Sequence, residues 1–535
     1  MKNDSSGSPA LTTSDRSAIR SQQTADAALR RTWIAVAAAT LGVFMSILDI
    51  QITNASLKEI FGSLSATQDE GSWMSTAYLA AEVTVIPLTT FFMTVFGLRN
   101  YMLANSILFV VFSTLCGYAW NLPSMIVFRM LQGLAGGGLI PMAMTLLLTR
   151  LPAAKRTTGL AWMMLSTTLA PTFGPTIGGI LTGLYGWPSI FFINWAPGIL
   201  MVAGLAYGLD RDVRKPEILR QADWLAIATM ATGLVSLIIF LEEGNTRDWF
   251  DSRFVQFFFL SALVNLSIWI FLMLSRKNPF VNLGLLGRRN FGVSSIVGTA
   301  TGMALYGSTF LLPLFLAQIA GYNSLQIGMV IMWMGPPQMV MMPIVARFSK
   351  VYDNRLICSL GLLLFAMSSF LNTTMTADTA RDQLIASQIL RGLGQPMIVL
   401  TLSNFATVRM ELENMSSASS LFNMSRILGG AVGTAILATL LTVREKYHSV
   451  QLGESVSAFS DGVLSRIDLL SSVFSRDTAD IAGTGSQAFA AISNIVRRES
   501  FVMAYNDCFF VLSVVLAASV AIIWLSDRVV AGGAK

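Results

Sequence analysis

The sequence is poor in the residues with which soluble proteins cover their surfaces and build catalytic sites. Of its 535 residues only 12% are charged, against about 25% in an average soluble protein. It has one histidine, His448, and three cysteines without a CxxC spacing. It has no P-loop, no nucleophile–base pattern and no grouping of His, Cys and carboxylates at metal-ligand spacing. The sequence therefore predicts neither an enzyme nor an ATP-driven protein, and no bound cofactor or metal.

Long apolar runs dominate the chain instead. Hydrophobic residues make up 53% of it, and the mean hydropathy is +0.61. An apolar run of about 20 residues is long enough to cross a bilayer as a helix. We predict an all-α polytopic membrane protein with fourteen transmembrane helices, at 33–53, 72–92, 100–119, 124–148, 159–183, 189–209, 224–241, 254–274, 291–318, 325–348, 356–374, 384–408, 417–442 and 503–525.

Basic residues indicate how these spans are oriented. The loops on one side carry most of the Lys and Arg, among them Arg30, Arg31, Arg150 and Arg276. Cytoplasmic loops carry such an excess, so both termini are predicted to be cytoplasmic. The same loops account for the net charge of +6 without a nucleic-acid partner. Residues 1–32 have no apolar run and are predicted to form a disordered cytoplasmic tail, and residues 527–535 form a second tail.

One long polar loop, residues 444–500, departs from the charge pattern. Parity places it outside, although it carries six basic residues; the charge rule weakens as loops lengthen. Its runs 463–474 and 488–496 are candidates for amphipathic helices. Two interpretations stay open: a solvated loop, or a docking site for a periplasmic partner protein.

A faint internal repeat divides the chain into halves. Residues 130–136 (MLQGLAG) resemble residues 389–395 (ILRGLGQ) at an offset of 259. Transporters are often built from such repeats, with the substrate held between them near the midplane. We predict a six-helix bundle over 33–210, a linker with two extra transmembrane helices over 211–290, and a second six-helix bundle over 291–526 that includes the 444–500 loop.

Among the charged side chains inside predicted spans, four stand out: Asp49, Glu82, Arg129 and Arg426. A charge at the centre of a bilayer costs at least about 2.5–3.5 kcal/mol, so it usually marks a function. A carboxyl in a poorly solvated site is protonated more easily than in water. Asp49 is the first candidate for proton coupling and Glu82 the second; the alternative for both is a structural role. Glu82 is also suited to attracting a cationic substrate.

Arg129 and several uncharged polar residues complete the set of unusual side chains. Arginine stays protonated in proteins, so Arg129 is predicted to hold a carboxylate or polar partner; the alternative is an interfacial anchor. Gln132 lies three residues further on the same helix face. The polar side chains predicted to line a substrate cavity are Gln51, Asn54, Gln132, Gln395, Asn423 and Arg426.

The fifth span contains the run Gly174-Pro175, followed by Gly178-Gly179. Small residues four positions apart let helices approach closely. A proline removes a backbone donor and bends a helix. We predict that this run, together with Gly133 in the fourth span, forms an interface that moves during a conformational change.

Three of these motifs resemble those of a known family. Arg129…Gln132-Gly133 resembles the RxxQG motif of the major facilitator superfamily, and Gly174-Pro175…Gly178-Gly179 resembles its antiporter motif. Leu48-Asp49…Asn54 resembles the first-span motif of the fourteen-span drug:H⁺ antiporters of the EmrB/QacA type. The similarity runs in consistent order through the predicted spans.

The resemblance implies proton-coupled efflux of hydrophobic drugs or toxic small molecules across the bacterial inner membrane by alternating access. The proton gradient would be the energy source, with Asp49 and Arg129 in the proton relay. Gly174, Pro175, Gly178 and Gly179 would bias alternating access. The Gram-negative branch of the family works with a periplasmic adaptor protein and an outer-membrane channel, so both are implied as partners, beside membrane lipid.

Two departures from the family pattern bear on function. The family's loop between the second and third spans carries an acidic residue, whereas residues 90–99 keep only Gly97 and Arg99 of that motif, which puts a charge latch there in doubt. Gln51 stands where the family usually has Thr, which could alter substrate preference. The alternative function is a transporter of the same fold for one specific metabolite or siderophore.

Overall fold

The computed structural model describes residues 13–212, 215–220, 222–276, 279–407, 410–411, 414–455, 464–465, 467, 469 and 484–529. The regular elements of this part of the chain are helices, with short 3-10 turns between some of them. In chain order they are α1 (Thr13–Ala55), α2 (Leu57–Ser63), α3 (Gln68–Phe96), α4 (Leu98–Gly117), α5 (Leu122–Gly136), α6 (Leu139–Arg150), α7 (Ala153–Tyr185), α8 (Ser189–Phe192), α9 (Trp195–Gly208), α10 (Glu217–Arg220), α11 (Trp224–Gly244), α12 (Arg253–Ser275), α13 (Arg289–Gln318), α14 (Ser324–Ile331), α15 (Gly335–Phe348), α16 (Asn354–Leu371), α17 (Arg381–Thr407), α18 (Met415–Ser455) and α19 (Thr484–Ile523).

The fourteen predicted spans coincide with these helices, which confirms the predicted fold class. Among the described residues, twelve segments are long and apolar enough to cross a membrane by length and composition. The other two predicted spans lie in α7, of 33 residues, and α17, of 27 residues. Both helices are long enough to cross a bilayer, but both are rich in polar and small residues.

Three spans are interrupted within the membrane region. The fourth span breaks between α5 and α6 at Gly137 and Gly138, where a Cβ on Gly137 would lie 2.7 Å from the backbone oxygen of Glu82. The sixth span breaks between α8 and α9 at Asn194, and the tenth between α14 and α15 through a 3-10 turn. Broken helices are tolerated at this depth only where protein or water covers the freed backbone groups.

One prediction about a polar segment needs correction. Residues 13–32, expected to be disordered, belong to α1. In the 444–500 loop, α18 continues to Ser455 and α19 begins at Thr484. The candidate helix at 488–496 lies in α19, whereas most of the candidate at 463–474 falls outside the described residues. Hydropathy detects only the apolar part of a helix. Ala, Arg, Gln and Lys favour helical structure in water, so these helices continue beyond their apolar segments.

Equivalent helices of the two halves make equivalent contacts. Helix α1 packs on α7 in the first half, and α13 packs on α18 in the second. Between the halves, α7 contacts α14, α15 and α17, while α18 contacts α3 and α6. Helices α5 and α17 begin 259 residues apart, at Leu122 and Arg381, the offset of the sequence repeat. The interface between the halves is therefore built from corresponding spans.

The two extra helices lie at the edge of this arrangement. Helices α11 and α12 pack on each other, and α11 also touches α3 and α18. Exposed apolar side chains such as Phe257, Phe271 and Leu274 cover α12. An apolar face of this kind is suited to lipid.

Candidate functional site

A buried ion pair lies at the centre of the first half. Asp49 on α1 and Arg129 on α5 are 2% and 1% exposed, and Arg129 Nη1 lies 2.6 Å from Asp49 Oδ2. The pattern of α5 explains the placement of Arg129: Met125, Arg129 and Gln132 share its buried face, whereas Met130 and Leu134 are exposed. Arg129 is therefore a buried partner and not an interfacial anchor.

Two amide side chains hold the other oxygen of the Asp49 carboxylate. Gln132 Nε2 donates to Asp49 Oδ1 at 3.0 Å, and Asn194 Nδ2 donates to the same oxygen at 2.9 Å. Arg129 Nη1 also donates to Gln132 Oε1 at 2.8 Å. We call Asp49, Arg129, Gln132 and Asn194 the Asp49 site. The sequence analysis assigned Asp49 and Arg129 to proton coupling and Gln132 to a substrate cavity, and it missed Asn194.

Aromatic rings enclose the guanidinium of Arg129. Its Cζ lies 4.3 Å from the ring centroid of Tyr78 and 5.8 Å from that of Phe191. A cation over an aromatic face is stabilised by the quadrupole of the ring, more strongly when water is excluded. The rings therefore stabilise the arginine without competing for its bond to Asp49.

Glu82 and Arg426 form a second charged group where the halves meet. Both are buried, at 3% and 8% exposure, and Glu82 interacts electrostatically with Arg129 and with Arg426. The described part of the chain gives Glu82 no ion pair within 4.0 Å. Asp49, Arg129, Glu82 and Arg426 thus place alternating charges from the first half to helix α18 of the second.

The remaining predicted cavity residues lie in separate places. Gln51 is half-buried against α7, and the exposed Asn54 accepts a hydrogen bond from Ser75 Oγ at 3.2 Å. In the second half, Gln395 Oε1 accepts from Gln338 Nε2 at 2.5 Å. Asn423 Nδ2 reaches across the halves to Met144 Sδ at 3.6 Å, and Arg426 Nη2 donates to Asn423 Oδ1 at 3.1 Å.

Gly174 and Gly178 of α7 lie at its contact with α1. A Cβ on Gly174 would overlap Gln51, and one on Gly178 would lie 3.2 Å from the backbone oxygen of Ile52. Pro175 is buried between them, and Gly179 is half-buried. The neighbouring face of α7 meets the second half, since a Cβ on Gly328 would overlap Thr176.

Gly133 lies at a different helix contact. A Cβ there would overlap the backbone oxygen of Tyr78, so Gly133 brings α5 against α3. This approach places the ring of Tyr78 beside Arg129.

An acidic residue from another part of the chain lies beside the loop between α3 and α4. Asp212 Oδ2 accepts from the backbone N–H of Arg99 at 2.8 Å, and Asp212 Oδ1 pairs with Arg150 Nη2 at 2.8 Å. Gly97 has φ of +81° and lies against the Cβ of Asp212. The sequence analysis missed Asp212, which supplies the carboxylate that residues 90–99 lack.

Two bundles of corresponding helices, with a buried ion pair in one of them and glycine-lined contacts between spans, define a multi-pass membrane transporter. The model of the Major Facilitator Superfamily matches residues 39–434. The chain is 32% identical to the colistin resistance protein EmrB of Acinetobacter baumannii, over 93% of this chain and 96% of that protein.

Other relatives and a solved structure agree. The chain is 32% identical to the fatty acid resistance protein FarB of Neisseria gonorrhoeae, over 91% of this chain and 94% of the relative. It is 29% identical to the multidrug export protein EmrB of Escherichia coli, over the same shares. The human organic anion transporter MFSD10 has the same fold, with a TM-score of 0.61 at 12% identity, over 92% of this chain and 99% of that one. The chain belongs to the Major Facilitator Superfamily, and within it to the family that contains the EmrB proteins.

Proposed function

We propose that the protein exports hydrophobic drugs or other toxic small molecules from the bacterial cytoplasm in exchange for protons. The observation that carries the proposal is the buried pair of Asp49 and Arg129, at 2.6 Å, in a membrane-spanning bundle. A buried ion pair is weak evidence for a stabilising role, since its desolvation offsets much of its attraction. The names of the relatives, which refer to multidrug export and to resistance against colistin and fatty acids, support export.

Protonation of Asp49 is the proposed coupling step. A proton on the carboxylate removes the negative partner of Arg129, whose charge then acts on Glu82, the next acidic group in its field. Glu82 also interacts with Arg426 on α18, so a change of charge at Asp49 alters the attraction between the halves. One elementary charge that crosses the membrane adds about 2.3 kcal/mol per 100 mV.

Movement at the contact of α1 with α7 is the proposed structural response. Gln51 and Ile52 lie two and three residues after Asp49 and touch Gly174 and Gly178. A shift of α1 at Asp49 is therefore transmitted directly to α7, which contacts α14, α15 and α17 of the second half.

The proposed location is the inner membrane with both termini in the cytoplasm, as the basic loops indicate. The extensions of α18 and α19 would then project into the periplasm. Helices that continue past the apolar run are suited to docking a periplasmic adaptor protein, through which an outer-membrane channel would be reached. Deletion of 460–490 tests this part: intact adaptor pull-down and intact resistance would exclude that segment as the dock.

Dye efflux in energised cells without their own pumps tests the proposed function. Wild-type protein should extrude at least one of ethidium, acriflavine and crystal violet, and a protonophore should stop it. Asp49→Asn should abolish efflux at normal membrane expression, whereas Asp210→Asn, at an exposed loop position, should not.

Normal pumping by Asp49→Asn would overturn the role of Asp49 and move it to Glu82, with Glu82→Gln as the next variant. If the wild type extrudes no dye, a specific metabolite or siderophore becomes the better substrate class.

A further inference from the structure

Asn194 contacts the Asp49 carboxylate directly, although it comes from the break in the sixth span. It is 2% exposed and is the residue that precedes α9. Its Nδ2 donates one hydrogen bond to Asp49 Oδ1 and another to Ser113 Oγ, each at 2.9 Å. Ser113 Oγ in turn donates to the backbone oxygen of Phe191 at 2.9 Å. Both protons of the Asn194 amide are therefore used.

This arrangement favours one charge state of Asp49. The ionised carboxylate accepts bonds from Arg129 on one oxygen and from Gln132 and Asn194 on the other. Donors directed at a carboxylate favour its ionised form. The effect is larger where water is excluded, because the local dielectric constant is low.

Asn194 also ties the carboxylate to a break between two helices. It lies between α8, which ends at Phe192, and α9, which begins at Trp195. Ser113 on α4 fixes both the amide of Asn194 and the carbonyl of Phe191 across this break. A change in the angle between α8 and α9 would therefore withdraw one donor from Asp49 without moving Arg129.

We propose that Asn194 is a positioning residue for proton coupling: its amide holds the Asp49 carboxylate in the ionised state that pairs with Arg129 and sets the pH at which Asp49 takes up its proton. The proposal rests on the role of Asp49 in the proposed function. It adds that the break between α8 and α9 controls proton uptake.

Infrared spectroscopy of the purified protein in lipid tests the proposal without a substrate. A protonated carboxyl has a C=O stretch that disappears on ionisation, and loss of a band in Asp49→Asn assigns it to Asp49. In Asn194→Leu, which keeps much of the side-chain volume but has no donor, the band should form at a pH about one unit higher. One unit is a tenfold change in proton concentration, the size expected for one hydrogen bond to a charged group. The pH profile of dye efflux should shift in the same direction.

Two further variants complete the design. Asn194→Ala serves if Asn194→Leu does not reach the membrane; it also removes the donor to Asp49, so its band should also form at higher pH. Thr114→Val is the matched control on the same helix pair, since Thr114 Oγ1 accepts a bond from Trp195 Nε1 at 2.8 Å near the surface. It should leave the pH profile unchanged.

The outcomes separate the two proposals. A band that forms at the wild-type pH in the Asn194 variants that reach the membrane would overturn the role of Asn194, whatever the role of Asp49. Dye efflux that survives Asp49→Asn with an unchanged pH profile would instead overturn the role of Asp49 in the proposed function, on which this inference rests.

Discussion

The strongest energetic prediction concerns the loss of Arg129. In Arg129→Gln the Asp49 carboxylate stays buried at 2% exposure without its cationic partner. Breaking a buried pair from one side typically costs about 3–5 kcal/mol. The cost has an upper bound, because the carboxyl can take a proton instead. An aspartate in water titrates near pH 3.9 and each pH unit is worth about 1.4 kcal/mol, so the bound is about 4 kcal/mol at pH 7 and about 1.5 kcal/mol at pH 5.

The destabilisation should therefore depend on pH in a defined direction. Arg129→Gln should lose about 1.5–2.5 kcal/mol more at pH 7 than at pH 5, relative to wild type. The double variant Arg129→Gln with Asp49→Asn carries no charge at the site, so it should recover most of the loss at pH 7 and show no such dependence. Arg150→Gln breaks a pair whose arginine is 40% exposed and should cost less than about 1 kcal/mol.

Reversible unfolding in detergent, followed by circular dichroism at both pH values, measures these differences. An equal loss at pH 5 and pH 7 would show that Asp49 does not become charged and unpaired in the single variant. A double variant as unstable as the sum of its single variants would show that the two side chains are not coupled.

Three further predictions concern other contacts. Gly174→Ala should destabilise the protein by about 1–3 kcal/mol, because the new methyl group overlaps Gln51, and it should slow efflux. Gly183→Ala on the same helix is the control: its methyl group meets no atom within 4 Å, so melting temperature and efflux should both stay unchanged. Burial raises the pKa of Asp353, but hydrogen bonds from Arg355 and its positive charge outweigh that effect, so the pKa lies below the usual 3.8. The stabilisation from Asp353 should thus be complete above that pH and be lost as the pH falls below it, and Asp353→Asn should lack this acid-sensitive part when melting is followed from pH 6 to pH 3. Asp212→Ala removes the acceptor of the Arg99 N–H and should cost about 1 kcal/mol, measured as a lower melting temperature; an unchanged value would mean that this carboxylate does not hold the loop.

The sequence predicted the part of the Asp49 site that local patterns encode. Arg129 and Gln132 are three residues apart on one helix, and their polarity within an apolar run marks that face as buried. Asn194 is 145 residues from Asp49, and no local pattern brings the two together. The sequence did contain one indication of Asn194, namely an asparagine inside a predicted span. A polar side chain in the bilayer core needs a hydrogen-bonding partner, as a charged one does. Asp212 was missed for a related reason. It lies 113 residues after Arg99 in the chain, yet its carboxylate takes the place of the acidic residue that the loop motif lacks.

The two halves share a backbone plan but not their charges, and this difference locates the proposed proton step. At the repeat offset of 259, Arg391 corresponds to Gln132 and Ser308 to Asp49. Arg391 Nη2 donates to Thr309 Oγ1 at 2.8 Å, on α13, the helix equivalent to α1. The described residues give Arg391 no ion pair within 4.0 Å. The site in the second half therefore contains a buried arginine without a carboxylate, whereas the site in the first half contains a carboxylate bonded to an arginine. Of these two corresponding sites, only the Asp49 site has a carboxylate whose charge a proton can neutralise. The second half keeps a fixed charge at Arg391, and in the proposed mechanism it responds to the first through Glu82 and Arg426.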